Sequence, residues 1–102
     1  MELQYFNANA EASAVVAALH EGGAVIVTNV MSSDQVERVN DELRPYLEAC
    51  PPCKDDLLGK NTRRVGGLIL KSRTYASLVT HPLMLAICDA FLKPNCSHYQ
   101  VN

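Results

Sequence analysis

The sequence predicts an α+β fold in which helices dominate and strands are short. Three observations carry this reading. Apolar residues recur at helical spacing in three stretches, at Ala12, Val15, Val16 and Leu19, at Val36, Val39, Leu43 and Leu47, and at Leu83, Ile87 and Phe91. Between them lie short runs rich in β-branched residues, AVIVTNV and RVGGLILKS, and a closing SHYQVN. No repeat, low-complexity tract or internal boundary interrupts the 102 residues, so one domain, 1–102, is expected.

Each element has its own signals. Residues 11–21 read as a helix, and Gly22-Gly23 reads as its stop. Residues 24–30 read as a strand. Ser32 with Gln35 forms a capping-box signature, S-x-x-Q, ahead of the second helix. Pro45 lies inside that helix and predicts a bend or an early end. ACPPCKDDLLGKNT, 49–62, is a loop by its prolines, aspartates, glycine and asparagine. RVGGLILKS, 64–72, returns to strand character, with Gly66-Gly67 as a bulge or a place of close approach. Residues 74–80 make one or two helical turns. Pro82 opens a last helix, Pro94 closes it, and the chain runs into a strand over 97–102. Three strands at most are too few and too scattered to close a sheet.

Composition narrows the function classes. Nine basic and eleven acidic residues give a net charge of −2, without the electrostatic footprint of a nucleic-acid binder. Lys60, Arg63, Arg64, Lys71 and Arg73 are the one basic cluster, but an apolar run divides them. The N-terminus lacks the basic region of a signal peptide, and Glu2, Glu11 and Glu21 break its apolar character. No stretch approaches the roughly 20 apolar residues of a membrane span. A cytoplasmic protein with no membrane and no nucleic-acid partner is expected. The four cysteines, Cys50, Cys53, Cys88 and Cys96, then read as free thiols.

Few residues carry obvious chemistry. Cys50-Pro51-Pro52-Cys53 is a CxxC, but it follows a helix and opens a polar loop. A redox CxxC follows a strand and opens a helix, whose N-terminus lowers the thiol pKa. An incidental surface pair is the favoured reading, ahead of half a zinc site. Neither His20, His81 nor His98 begins the HxD or HxE pair that offers two ligands to a mononuclear iron. Cys88 sits in an apolar helix and reads as core. Arg63 and Arg64 begin a strand with two glycines behind them. Guanidinium forks bind carboxylates well, and the alternative is a solvated strand end.

Three segments in order, HEGGAVIVTNVMSSDQVERVNDELRPYL, GKNTRRVGGLILKSRTYASLV and THPLMLAICDAFLKPNCSHYQVN, resemble the N-terminal part of the phytanoyl-CoA dioxygenase-like family. The likeness is to its fungal branch acting on secondary metabolites and covers about Ala14 to Asn102. It implies the first strands of an incomplete double-stranded β-helix, or jelly roll. It implies oxidation of a small organic molecule with iron(II) and 2-oxoglutarate. It also implies that the HxD pair, the distal histidine and the arginine for 2-oxoglutarate would come after Asn102. The chain is therefore expected to be truncated before its metal site and inactive alone. By the resemblance, the basic residue at Arg63-Arg64 and the strand holding Tyr99, Gln100 and Asn102 lie near cosubstrate or substrate. Alternation places Gln100 and Asn102 on one face and Tyr99 on the other, with the inward face open. No residue is assigned to catalysis or to metal.

A second reading is a non-catalytic interaction module that pairs through an exposed strand edge with a second copy or a related chain. A zinc or redox mini-domain built on CPPC is a third. On the first reading the isolated chain is expected to be poorly soluble.

Overall fold

The computed structural model describes residues 2–54, 57 and 59–100. It contains five helices and a two-stranded parallel sheet among those residues. Two compact units divide the chain. One is built from the described residues up to Ser32 and from Ser77 onward, the other from Ser33–Ala76.

The first unit is a β-α-β arrangement backed by a helix. Strand β1 (Gln4–Asn7) pairs in parallel with β2 (Val25–Thr28), Gln4 opposite Val25 and Asn7 opposite Thr28. Helix α1 (Ala12–Gly22) joins them. Its stop is the one the glycine pair predicts. Gly23 takes φ 79°, where a side chain would be strained, and its N–H closes on the Leu19 carbonyl at 2.8 Å. Val15 and Ala18 are the buried residues of α1, and they share the core with Leu83 of the last helix (Pro82–Leu92). Pro82 opens that helix as predicted, and His81 caps it: the imidazole Nδ1 accepts the Leu83 N–H at 3.2 Å.

Strand β1 is absent from the sequence reading. Its four residues, Gln-Tyr-Phe-Asn, end in polar side chains and form no apolar run. They become a strand because β2 lies beside them and supplies the ladder, and Thr28 Oγ1 adds a bond to the Phe6 carbonyl at 3.1 Å.

The second unit centres on α2 (Ser33–Ala49). It begins directly after Ser32, where the capping signature stands. It does not end at Pro45. Proline removes one bond to the carbonyl four residues back. On an exposed helix water can take that carbonyl, and the last turn continues to Ala49.

Two predicted strands are corrected. Residues 64–72 hold a helical turn, α3 (Leu68–Lys71), and no strand. Gly67 sits at φ 64°, ψ 40° and turns the chain into it, so the glycine pair marks a helix start rather than a bulge. The run Leu-Ile-Leu-Lys holds one β-branched residue and three good helix formers, and among the described residues no strand pairs with it. It is followed by α4 (Arg73–Val79), close to the predicted turns, and then by α5, the Pro82–Leu92 helix of the first unit. The closing strand is also corrected for its described part. His98–Gln100 is irregular chain. Without a ladder the segment is held by a side chain, since the Tyr99 hydroxyl donates to Asp89 of α5 at 2.9 Å. Asn102 lies outside the described residues.

Candidate functional site

Three side-chain groupings stand out, each inside one unit. The first lies at the start of α4. Ser72 is fully buried and caps that helix, its hydroxyl oxygen accepting the Tyr75 N–H at 3.0 Å. The same hydroxyl donates to Glu42 of α2. The Glu42 carboxylate also accepts the Thr74 N–H at 3.3 Å and the Thr74 hydroxyl at 2.9 Å. Led by the Ser72 bond, these hydrogen bonds and the charge of Arg38 hold the Glu42 carboxyl below its ordinary 4.5, against a smaller cost of desolvation. Both carboxylate oxygens accept from within the protein, so Glu42 serves as a clasp between α2 and α4.

The second grouping is the C-terminal end of α2. The helix carries no basic residue in its last turn. Two cations arrive from further along the chain. Arg63 Nη1 donates to the Leu47 carbonyl at 3.1 Å. Lys71 bonds the Gly66 carbonyl and stands 5.4 Å from the centre of the Tyr46 ring. A helix C-terminus offers unpaired carbonyls and partial negative charge, so cations stabilise it. Cys50 belongs here too, its thiol donating to the Arg64 carbonyl at 3.1 Å, while the Cys53 N–H meets the Thr62 carbonyl at 2.8 Å. Both thiols are free and half-buried. Two successive prolines favour extended backbone.

The third grouping is on α5. Asp89 accepts from Tyr99 and pairs with Lys93 at 3.1 Å. The Tyr99 bond, then Lys93, lowers the Asp89 carboxyl below 3.8, and the bond to Asp89 raises the Tyr99 phenol above 10.0. Replacing Asp89 with Asn should return the Tyr99 phenol toward 10.0, read from tyrosinate ultraviolet absorbance against a Tyr99→Phe control. An unchanged titration would mean that this contact does not form. In the same unit, Val27, Val30, His81, Leu83, Met84 and Ile87 line a small, open apolar cleft.

The predicted site residues therefore fall into two places. Arg63 and Arg64 lie in the second unit, where Arg63 serves the end of α2 and the exposed Arg64 gives its carbonyl to Cys50. Tyr99 and Gln100 lie in the first unit, Tyr99 half-buried and Gln100 exposed. Among the described residues no three His, Cys, Asp or Glu side chains converge as a metal site. The ring of His20 lies tilted at 34° against that of Phe91 with centroids 4.8 Å apart, and the Nδ1 of His81 accepts the Leu83 N–H. The donor set among the described residues thus does not fit an iron centre. Among the described residues no single helix is long and apolar enough to cross a membrane. The reading from sequence missed Glu42, whose partners are 30 or more residues away; Ser72, placed three residues before Tyr75 at a helix start, was the available signal.

No family model matches the chain. Several curated relatives do. The chain is 32% identical over 93 residues to the dioxygenase swnH1 of Arthroderma benhamiae, a match covering 88% of this chain and 30% of the relative. It is 30% identical over 92 residues to the dioxygenase olcK of Penicillium canescens, covering 82% and 30%. It is 32% identical over 96 residues to the multifunctional dioxygenase prhA of Penicillium brasilianum, covering 90% and 32%. Most of this chain is thus similar to fungal proteins named as dioxygenases, and it spans about a third of the length of each.

Proposed function

We propose that the chain is the N-terminal part of an iron(II)- and 2-oxoglutarate-dependent oxygenase of the phytanoyl-CoA dioxygenase-like kind, acting on a small secondary metabolite in the cytoplasm. The supporting observation is the set of dioxygenase relatives, each about 30% identical over more than four fifths of the chain. On this reading the helices and β1–β2 flank a jelly roll whose remaining strands, iron ligands and cosubstrate arginine lie in residues that follow. Iron and 2-oxoglutarate would supply the oxidising chemistry. This chain's own part is to contribute contacts to cosubstrate or substrate, with Arg64 as the candidate in the second unit, Tyr99 and Gln100 as the candidates in the first, and Asn102 as a candidate outside the described residues. Arg63 is the weakest of the proposed contacts, since its guanidinium already serves the Leu47 carbonyl.

The test is the transcript. Read through the Asn102 codon, it should continue in frame into a segment with an HxD pair. The 102-residue chain purified alone should release no succinate when given iron(II), 2-oxoglutarate and oxygen. A stop codon directly after Asn102, or turnover by the short chain, would overturn the reading.

A second reading, an interaction module, draws on β1–β2. A sheet of two strands has an outer edge on each, and such edges recruit further strands.

A further inference from the structure

We infer that the outward face of α5 is a docking surface for an apolar segment of the polypeptide that follows Asn102, and that the bond from Tyr99 to Asp89 delivers the chain onto it. This deepens the reading proposed above and rests on it, since that reading has the polypeptide continue past residue 102. A helix packed on one side and wet on the other carries charged and polar residues on its wet side. Helix α2 follows that rule, with Glu37, Asn40, Asp41 and Arg44 exposed. Helix α5 breaks it. Its inward side holds buried Leu83, and Phe91, whose ring meets His20 of α1. Its outward side holds Pro82, Leu85, Ala86, Asp89 and Ala90, all exposed, Leu85 by 39%. Asp89 is the only charged residue in the helix, and its charge is already met by Lys93 at 3.1 Å and by the Tyr99 hydroxyl. The rest of the face offers water nothing to bond, so covering it is favourable.

The path of the chain selects the occupant. After α5 it turns at once, and the N–H groups of Asn95 and Cys96 both reach the Leu92 carbonyl at 3.0 Å. It then doubles back, and the Tyr99 hydroxyl meets Asp89 at 2.9 Å, inside the helix. Asp89 follows Leu85 by four residues and Pro82 by seven, so the three share one stripe. The tail is thus tied to the uncovered face, and Leu85 stands about 6 Å along the axis from its anchor. Residues shortly after Asn102 have the reach to cover it, at about 3.3 Å per extended residue. The relatives have the length for such a segment, since about two thirds of each lies outside the match to this chain. A lipid surface is the other apolar occupant, and it favours helices rimmed by Lys and Arg. Helix α5 contains neither, and Lys93 just beyond it is paired with Asp89.

The experiment compares the 102-residue chain with the longer product of the same transcript, each in wild-type form and as Leu85→Lys. Urea midpoints read stability, and circular dichroism confirms that each protein is folded. In the 102-residue chain Leu85→Lys should move the midpoint little, because the side chain is exposed. In the longer product the same change buries a charge against apolar side chains and should lower the midpoint by at least about 1 M. Hydrogen exchange of the wild-type proteins needs no variant: the α5 amides should exchange at least about tenfold more slowly in the longer product. Tyr99→Phe keeps the ring and loses the bond to Asp89, and should reduce that protection. A midpoint loss in both proteins would mean that Leu85 belongs to the core of the first unit. A loss in neither would mean that the face stays in water. Either result overturns the inference and leaves the proposed oxygenase intact. So does binding of the 102-residue chain to phosphatidylcholine vesicles that Leu85→Lys abolishes, which makes lipid the occupant. Unchanged α5 protection in Tyr99→Phe overturns the role given to the Tyr99 bond. A stop codon directly after Asn102 removes the occupant and overturns the proposed function with it.

Discussion

Replacing Leu83 with Ala is expected to destabilise the first unit by about 2–4 kcal/mol, the usual cost of a buried Leu→Ala change. Leu83 is 9% exposed, and the only other buried apolar residues among those described are Val15 and Ala18. A core this small has few neighbours able to close over a lost side chain, so the cavity persists and adds to the lost transfer energy. Leu83 also lines the apolar cleft, where some relaxation is possible, and this keeps the expectation below the top of the range. A 102-residue protein has about 5–15 kcal/mol of stability in all, so the effect is a large fraction of the total. Leu85, two positions along the same helix and 39% exposed, is the control. Its change to Ala should cost well under half as much. Urea denaturation followed by circular dichroism reads both. Equal midpoints for the two variants would mean that α5 presents a different face to the core.

The elements that were legible in the sequence are those whose signals are local. Gly22-Gly23 ends α1, and Pro82 opens α5, because a backbone conformation or a missing N–H acts at the residue that carries it. The first part of α2 follows for the same reason from Ser32 and the apolar stripe. Strands were read less well because a strand is a relation between two segments. Gln4–Asn7 has little strand character of its own and is made a strand by its neighbour β2. Residues 64–72 have strand character but no paired strand among the described residues, and Gly67 turns the chain into the helical turn Leu68–Lys71. The same logic applies to the candidate site. Two arginines behind a glycine pair were visible, but the carbonyl that Arg63 meets belongs to Leu47, 16 residues earlier. Only the fold reveals that one of the two guanidinium groups is engaged in holding a helix end.

Acid should selectively weaken the clasp formed by Glu42, Ser72 and Thr74. The folded-state pKa of Glu42 is depressed below 4.5, chiefly by the hydrogen bond from Ser72. A carboxyl whose pKa falls on folding contributes stability that is fully present above its unfolded value. That contribution is lost as pH drops from about 4.5 through the lower folded value. Glu42→Gln keeps the shape and removes the charge, and with it the charge-assisted character of the three bonds. The variant should be less stable than wild type at neutral pH, and the gap should narrow steadily below pH 4.5 as the wild-type carboxyl takes up its proton. Ser72→Ala acts on the same clasp by a different route. It removes the helix cap and the leading donor to Glu42, and should cost at least about 1 kcal/mol. Because Ser72 is fully buried, nothing from solvent can replace its hydroxyl. In Ser72→Ala the acid sensitivity should shrink as well, since the bond that most depresses the Glu42 pKa is gone. Urea midpoints measured from neutral pH to about pH 3 distinguish the two roles. A gap for Glu42→Gln that stays constant across that range would mean that Glu42 acts through its shape, and that the clasp draws nothing from its charge.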